Sequence, residues 1–226
     1  MDENPPQDGR HARRERSRAA IIEAVFDLVQ EGKVPPEVED VALRAGVSVS
    51  SVFRNFDGLA DLQHQVFASF HDKFAALFVV DDADRPRPDR IRSHVRTRVE
   101  LSADAGGLMR IGRARALDHE PMVEGLARLR SRLAEQTRQR FAAELSRLTP
   151  AESANLAALI DATTSPDAYD VMSAGHARTP RQIGKTWITA LDAVLAEWTP
   201  HEDVRRCQAP TNISGGAESN HGETEP

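Results

Sequence analysis

The chain has a single cysteine, Cys207, among its 226 residues. One thiol closes no internal disulfide and supplies no structural zinc site, so neither an oxidised framework nor a bound metal is expected. No apolar run approaches the length that spans a bilayer, and the first residues have no apolar core of a secretory leader. The expectation is a cytoplasmic chain that meets no membrane, in which the sequon Asn212-Ile213-Ser214 has no meaning. A glycine-rich phosphate loop, a nucleophile elbow and a metalloprotease signature are all missing. Internal repeats and alternating strand patterns are missing too. His64 and His71 stand two turns apart on one helix, too far for one metal. The best acid–base pair, His119-Glu120, runs into Pro121 and reads as an ordinary interhelical turn. No catalytic residue and no cofactor is expected.

What is present is charge, unevenly placed. The net charge is −6, which argues against a surface that clings everywhere to nucleic acid. Residues 10 to 18 nevertheless hold Arg10, Arg13, Arg14, Arg16 and Arg18 against one acid, Glu15. Residues 1–17 read as a flexible basic arm whose Arg13, Arg14 and Arg16 can follow phosphates or enter a narrow minor groove. A merely solvated N-terminus is the alternative.

The most informative stretch runs from Val38 to Phe56. Val38, Val41, Ala42 and Ala45 recur at helical spacing and form one apolar stripe. Gly46 can take the left-handed conformation that ends a helix, and Val47 plugs the corner. Ser48 is a good N-cap for a second helix, which anchors inward through Val52 and Phe56. Its outward side carries Val49, Ser50, Ser51, Phe53, Arg54 and Asn55, a surface that suits a major groove. Arg54 can meet guanine or phosphate, and Asn55 reads as a phosphate clamp at the helix end. A preceding helix with Ile21, Ile22, Val25, Phe26, Leu28 and Val29 closes at Gly32, before Pro35 and Pro36. The pattern is a helix-turn-helix, residues 18–57, though a helical hairpin that merely packs gives a similar signal.

These residues resemble the tetracycline-repressor-like (TetR) family of one-component bacterial transcription regulators. The likeness lies in Ala45-Gly46-Val47-Ser48, in a recognition helix closing on Phe53-Arg54-Asn55-Phe56, and in Asp61-Leu62. It is specific over about 45 residues and architectural beyond Leu62. Three positions depart from the family pattern. Phe53 stands where a tyrosine usually meets a phosphate, and Leu59 where a lysine does. Val49 replaces a Lys, Arg or Pro, and either touches a thymine methyl or is partly buried.

Beyond Gly58 the chain reads as all-α. Leu62, Val66, Phe70, Phe74 and Phe78 recur every fourth residue and predict a connector helix over 58–80. Helices at about 89–104, 107–119, 121–147, 150–163 and 179–198 complete a regulatory and dimerisation domain, 81–198, punctuated by Gly106-Gly107, Pro121, Pro150 and Pro180. Residues 199–226 are polar and predict disorder. The resemblance implies a small-molecule pocket among the middle helices, for which the candidates are Phe74, Phe78, Met109, Met122, Phe141, Tyr169 and Trp187. Each of these also serves as plain core. The resemblance also implies a homodimer through the last two long helices, with Leu156, Leu159, Ile160, Ile183, Trp187, Leu191 and Val194 at the interface, whereas a monomeric core is the alternative reading. The sequence thus predicts a dimeric regulator of double-stranded DNA, a repressor released from a palindromic operator by a small effector. A ligand-independent DNA-binding regulator, or a helical enzyme or interaction module, are the readings set against it.

Overall fold

The structure is a computed structural model and describes residues 6–117 and 119–199. The expectations for residues 1–5, for Cys207, for the sequon and for the tail from residue 200 lie outside the described residues. Among the described residues every regular element is a helix.

Helix α1 spans Pro6–Gln30. The expected flexible arm is therefore corrected from Pro6 onward, where it continues the first helix. Arg16 and Ser17 reinforce it by donating from their side chains to the carbonyls of Ala12 and Arg13, at 3.2 and 3.1 Å. Gly32, at φ 90°, turns the chain. Helix α2 spans Val38–Ala45 and stops at Gly46, whose φ of 66° is the left-handed conformation expected of it. The Val47 N–H then reaches back to the Ala42 carbonyl at 3.0 Å. Ser48 caps α3, Val49–Asn55, by accepting from the Ser51 N–H at 3.2 Å.

Helix α4, Leu59–Lys73, is shorter than the expected connector. It gives way at Phe74 to a tight 3-10 turn over Ala75–Phe78. The break seats the Phe74 ring against Phe26 and Phe70, with centroids 6.2 and 5.0 Å away.

A larger correction concerns Gly106-Gly107, which do not end a helix. Helix α5 runs unbroken over Arg87–Arg115. A Cβ on Gly107 would come within 2.6 Å of a Val29 methyl and 2.8 Å of a Val34 methyl. The missing side chain lets α1 and its following turn approach α5. Glycine costs roughly 1 kcal/mol of helix propensity relative to alanine, and the close approach outweighs it.

Helices α6, Glu120–Arg140, and α7, Ala142–Leu145, replace one expected helix, with the bend at the buried Phe141. Helix α8 spans Pro150–Thr163 and is opened by a Thr149–Glu152 capping box. A short α9, Pro166–Asp170, and a wide turn over Val171–Gly175 follow, neither foreseen. Helix α10, Pro180–Trp198, starts from a second capping box, Thr179 with Gln182.

Two apolar cores result. The first gathers α1 to α4 with the middle of α5 and much of α6, from Ile21 and Phe56 to Leu101, Met122 and Leu133. The second joins the start of α5 to α7, α8, α9 and α10. The helix-turn-helix therefore has no core of its own. Its buried face is continuous with the next helices, so a shift in α5 is felt at α1.

Candidate nucleic-acid interface and ligand clefts

Helix α3 is pinned from three sides. Val52 and Phe56 are buried, as their spacing requires, and leave Ser50, Phe53 and Arg54 exposed on the other side. Ser48 Oγ lies 3.0 Å from Ser50 Oγ and 2.9 Å from Ser51 Oγ, a hydroxyl cluster around the helix start. At the far end Arg18 of α1 donates to the Asn55 carbonyl, and its guanidinium lies 4.6 Å from the centre of the Phe56 ring. A cation at a helix C-terminus satisfies an orphan carbonyl and meets the negative end of the dipole.

Several assigned residues change role. Asn55 is buried, and its amide donates to the Ser51 carbonyl at 2.7 Å, so it braces the helix from inside and is not an outward phosphate clamp. Ser51 is half-buried and its hydroxyl accepts from Arg54 Nη2 at 2.6 Å. Val49 is half-buried against the first core, which favours its packing reading over the thymine-methyl reading. Ser50, Phe53 and Arg54 remain available to a groove, with Phe53 half exposed at 52%. Arg13, Arg14 and Arg16 are exposed along the N-terminal half of α1. They therefore stand on a helix and do not sit on a loose arm. Sequence reasoning missed Arg18 as a positioning residue, because nothing in the local pattern announces a partner 37 positions away.

No protein-family model matches the chain, and no curated protein matches it. Solved structures do. A transcriptional regulator from Rhodococcus sp. Rha1 is similar with a TM-score of 0.59 at 22% identity, over 80% of this chain and 96% of that one. A protein assigned to the TetR-family transcriptional regulators, from Rhodococcus sp., gives 0.56 at 21%, over 80% and 99%. One assigned as a transcriptional regulator from Streptomyces coelicolor A3(2) gives 0.52 at 22%, over 82% and 99%. The chain has the fold of TetR-family regulators.

Two clefts border α5. One, of about 390 Å³, is enclosed by α5, α6 and α8 and is closed off by Ser165, Pro166 and Asp167. Met109, Leu126, Leu129 and Leu133 supply its apolar wall, and Arg98, Asp161 and Arg130 its polar one. Arg98 is 2% exposed and donates to the Leu133 carbonyl at 2.7 Å and to Thr137 Oγ1 and Asp161 Oδ1 at 2.9 Å each. Burial lowers its pKa to about 10, against the pull of Asp161 and with the help of the Arg140 charge. The second cleft, of about 490 Å³, lies at the seam between α5 and helices α1, α2 and α4.

The seven pocket candidates are not brought together. Met109 lines the first cleft and Met122 the second. Phe141, Tyr169 and Trp187 are packed in the second core, Phe141 against His94 at 5.4 Å and Tyr169 against Trp187 at 6.2 Å. Phe74 belongs to the first core, while Phe78 is half-buried beside His71 and Arg132. His119, weighed above as half of an acid–base pair, is the residue that precedes α6.

The expected dimer residues need a similar correction. Leu156, Ile160, Ile183 and Leu191 are 0% exposed, and Trp187 2%, within a single chain. They fill that chain's own core and are closed to a partner. Leu159, 40% exposed, and the half-buried Val194 keep outward surface, as does Ile188. Helical spacing alone marks an apolar arc without saying how much of it the domain itself consumes.

Among the described residues no helix is long and apolar enough to cross a membrane, and no three His, Cys, Asp or Glu side chains converge as a metal site would need.

Proposed function

We propose that this chain is a sequence-specific, dimeric DNA-binding transcription regulator of the TetR type, with residues 18–57 as its reading unit and 81–198 as its regulatory and dimerisation unit. The observation that carries the reading is α3: capped by Ser48, anchored by Val52 and Phe56, held at its end by Arg18, and presenting Ser50, Phe53 and Arg54 outward. A helix held this firmly, with a small-residue edge and one guanidinium, suits a major groove about 12 Å wide. The arginines of α1 add phosphate contacts, which position the protein without reading sequence. Two copies place their α3 helices in successive major grooves of a palindromic site.

The regulator acts as a repressor, and an effector releases it. The effector occupies the cleft among α5, α6 and α8, whose apolar wall and buried Arg98, paired with the half-buried Asp161, match a site of oriented, partly apolar ligand binding. Because α5 borders the cleft and packs on α1, a ligand that fits one arrangement better shifts the population of reading heads. Footprinting the purified protein on the DNA beside its own gene tests the reading. A protected palindrome, lost on Arg54→Ala, supports it. Binding that is insensitive to sequence removes it.

A further inference from the structure

We propose that the seam cleft between the reading unit and α5 is a second ligand site, and that it takes an uncharged, apolar small molecule. It is independent of the cleft assigned above to the effector and shares no lining residue with it. Its walls are Val38 and Val41 from the reading unit, Leu62 and Val66 from α4, and Leu108 and Ile111 from α5. Leu59, 41% exposed, stands at its margin as an apolar side chain left in water.

The charge of the occupant follows from the polar groups. Three polar residues line the cleft: Gln63, Arg110 and Arg115. Arg110 Nη1 is held by Asp170 at 2.8 Å, and Arg115 Nε donates to Gln63 Oε1 at 2.9 Å. Both guanidiniums thus already have partners in the fold, and a carboxylate or ammonium entering here would lose water for little return. A neutral molecule loses almost nothing.

Size narrows the choice further. At about 490 Å³ the cleft falls within the range of small-molecule sites. A compact two- or three-ring molecule matches a cleft of that size. Such a ligand touches α2, α4 and α5 together. It braces the reading unit against α5, and below it Gly107 keeps the two in close contact.

The test uses N-phenyl-1-naphthylamine, which is uncharged and brightens in apolar surroundings, beside its anionic sulfonate analogue, on the intact protein. Saturable binding at one probe per chain is expected, with the sulfonate at least about tenfold weaker because its charge loses water beside guanidiniums already partnered in the fold. Ala114→Phe fills the cleft from α5, and Leu59→Trp closes it from α4. Either variant is expected to abolish binding, so that a folding defect in one leaves the other to decide, and a retained helical spectrum identifies the folded one. Ala158→Phe fills the other cleft and is expected to leave probe binding unchanged. Equal affinity for the two probes, loss on Ala158→Phe, or retention in a folded Ala114→Phe or Leu59→Trp protein overturns the proposal. So does failure of the intact protein to bind, which would mean that another segment or a second copy fills the seam.

Discussion

Arg90 grips Glu144 with both branches of its guanidinium, Nη1 to Oε2 and Nη2 to Oε1, each at 2.7 Å, in a site almost closed to water. Arg87 Nε donates to the same carboxylate at 3.0 Å, and its Nη2 ties the Thr199 carbonyl at 2.9 Å. Burial, the largest influence on Glu144, pushes its pKa up, but the hydrogen bonds and charges of Arg90 and Arg87 outweigh it and hold the carboxyl below its ordinary value. Glu144→Ala would leave two buried cations facing each other. Breaking one side of such a buried pair costs about 3–5 kcal/mol. The expected outcome is a large fall in the urea midpoint, with the start of α5 and the end of α10 losing hydrogen-exchange protection first.

Arg18 and Arg54 both border α3 but act differently. Arg54→Ala is expected to weaken the preferred operator by about 1–3 kcal/mol while affecting random DNA less, if the guanidinium meets a base edge. Arg18→Ala removes a brace and leaves the exposed edge of α3 chemically unchanged, so it should weaken all sequences by a similar factor. Competition binding against the operator and a scrambled duplex separates them. Identical specificity ratios for the two variants would show that Arg54 touches only phosphate.

His94 makes stability depend on pH. It is 0% exposed, and its Nε2 lies 3.1 Å from Thr164 Oγ1, whose own proton goes to the Ile160 carbonyl at 2.9 Å. Nε2 must then donate, which leaves Nδ1 as a buried acceptor without a protein partner. Burial, reinforced by the charges of Arg98 and Arg140, holds the His94 pKa well below its ordinary value. The unfolded chain takes up this proton near pH 6.5, before the folded chain does, so stability is complete above that value and falls as pH drops below it. The slope from this group approaches about 1.4 kcal/mol per pH unit. Urea titrations at pH 7.5 and 5.5 should show the loss, and His94→Asn should flatten most of it. His71, lowered by partial burial and by Arg132 and Arg128, leaves a smaller remainder.

Substitutions in the last helices distinguish interface from core. Ile183→Arg places an unpaired charge in the chain's own core and is expected to unfold it. Leu159→Arg or Ile188→Arg alters surface that the chain leaves partly open, so the expected product is a folded monomer. Light scattering with circular dichroism reads both outcomes. A folded dimer from both surface variants would place the dimer contact elsewhere.

The helix-turn-helix was legible because its signals are local. Gly46 at the corner, Ser48 at the cap, and Val52 and Phe56 at i+4 spacing each decide the conformation of residues within one turn. The sites built from long-range partners were not. Asn55 looks outward on a helical wheel until Arg18 and the packing of α1 against α3 close over it. The same limit hid Arg98 with Asp161, 63 positions apart, and left the pocket candidates scattered through two cores. Gly106-Gly107 misled for a related reason. A glycine pair reads as a helix end when only its own strand of sequence is visible, and as a contact surface once Val29 and Val34 are placed against it.

The unbroken α5 sets a scale for motion. With 29 residues it is about 44 Å long at 1.5 Å per residue. Its first turn is locked through Arg87 and Arg90 to Glu144, and its other half carries Gly107 against α1. Had the glycines hinged, each half would settle separately and displacement would fade between them. As a single rod pivoting near Arg90, a tilt of about 5° carries the far end, about 38 Å away, by about 3 Å. That is comparable to the spacing of successive base pairs, 3.4 Å along the duplex axis, so on the proposed function a small adjustment beside Arg98 would disturb the fit of a reading head to its half-site.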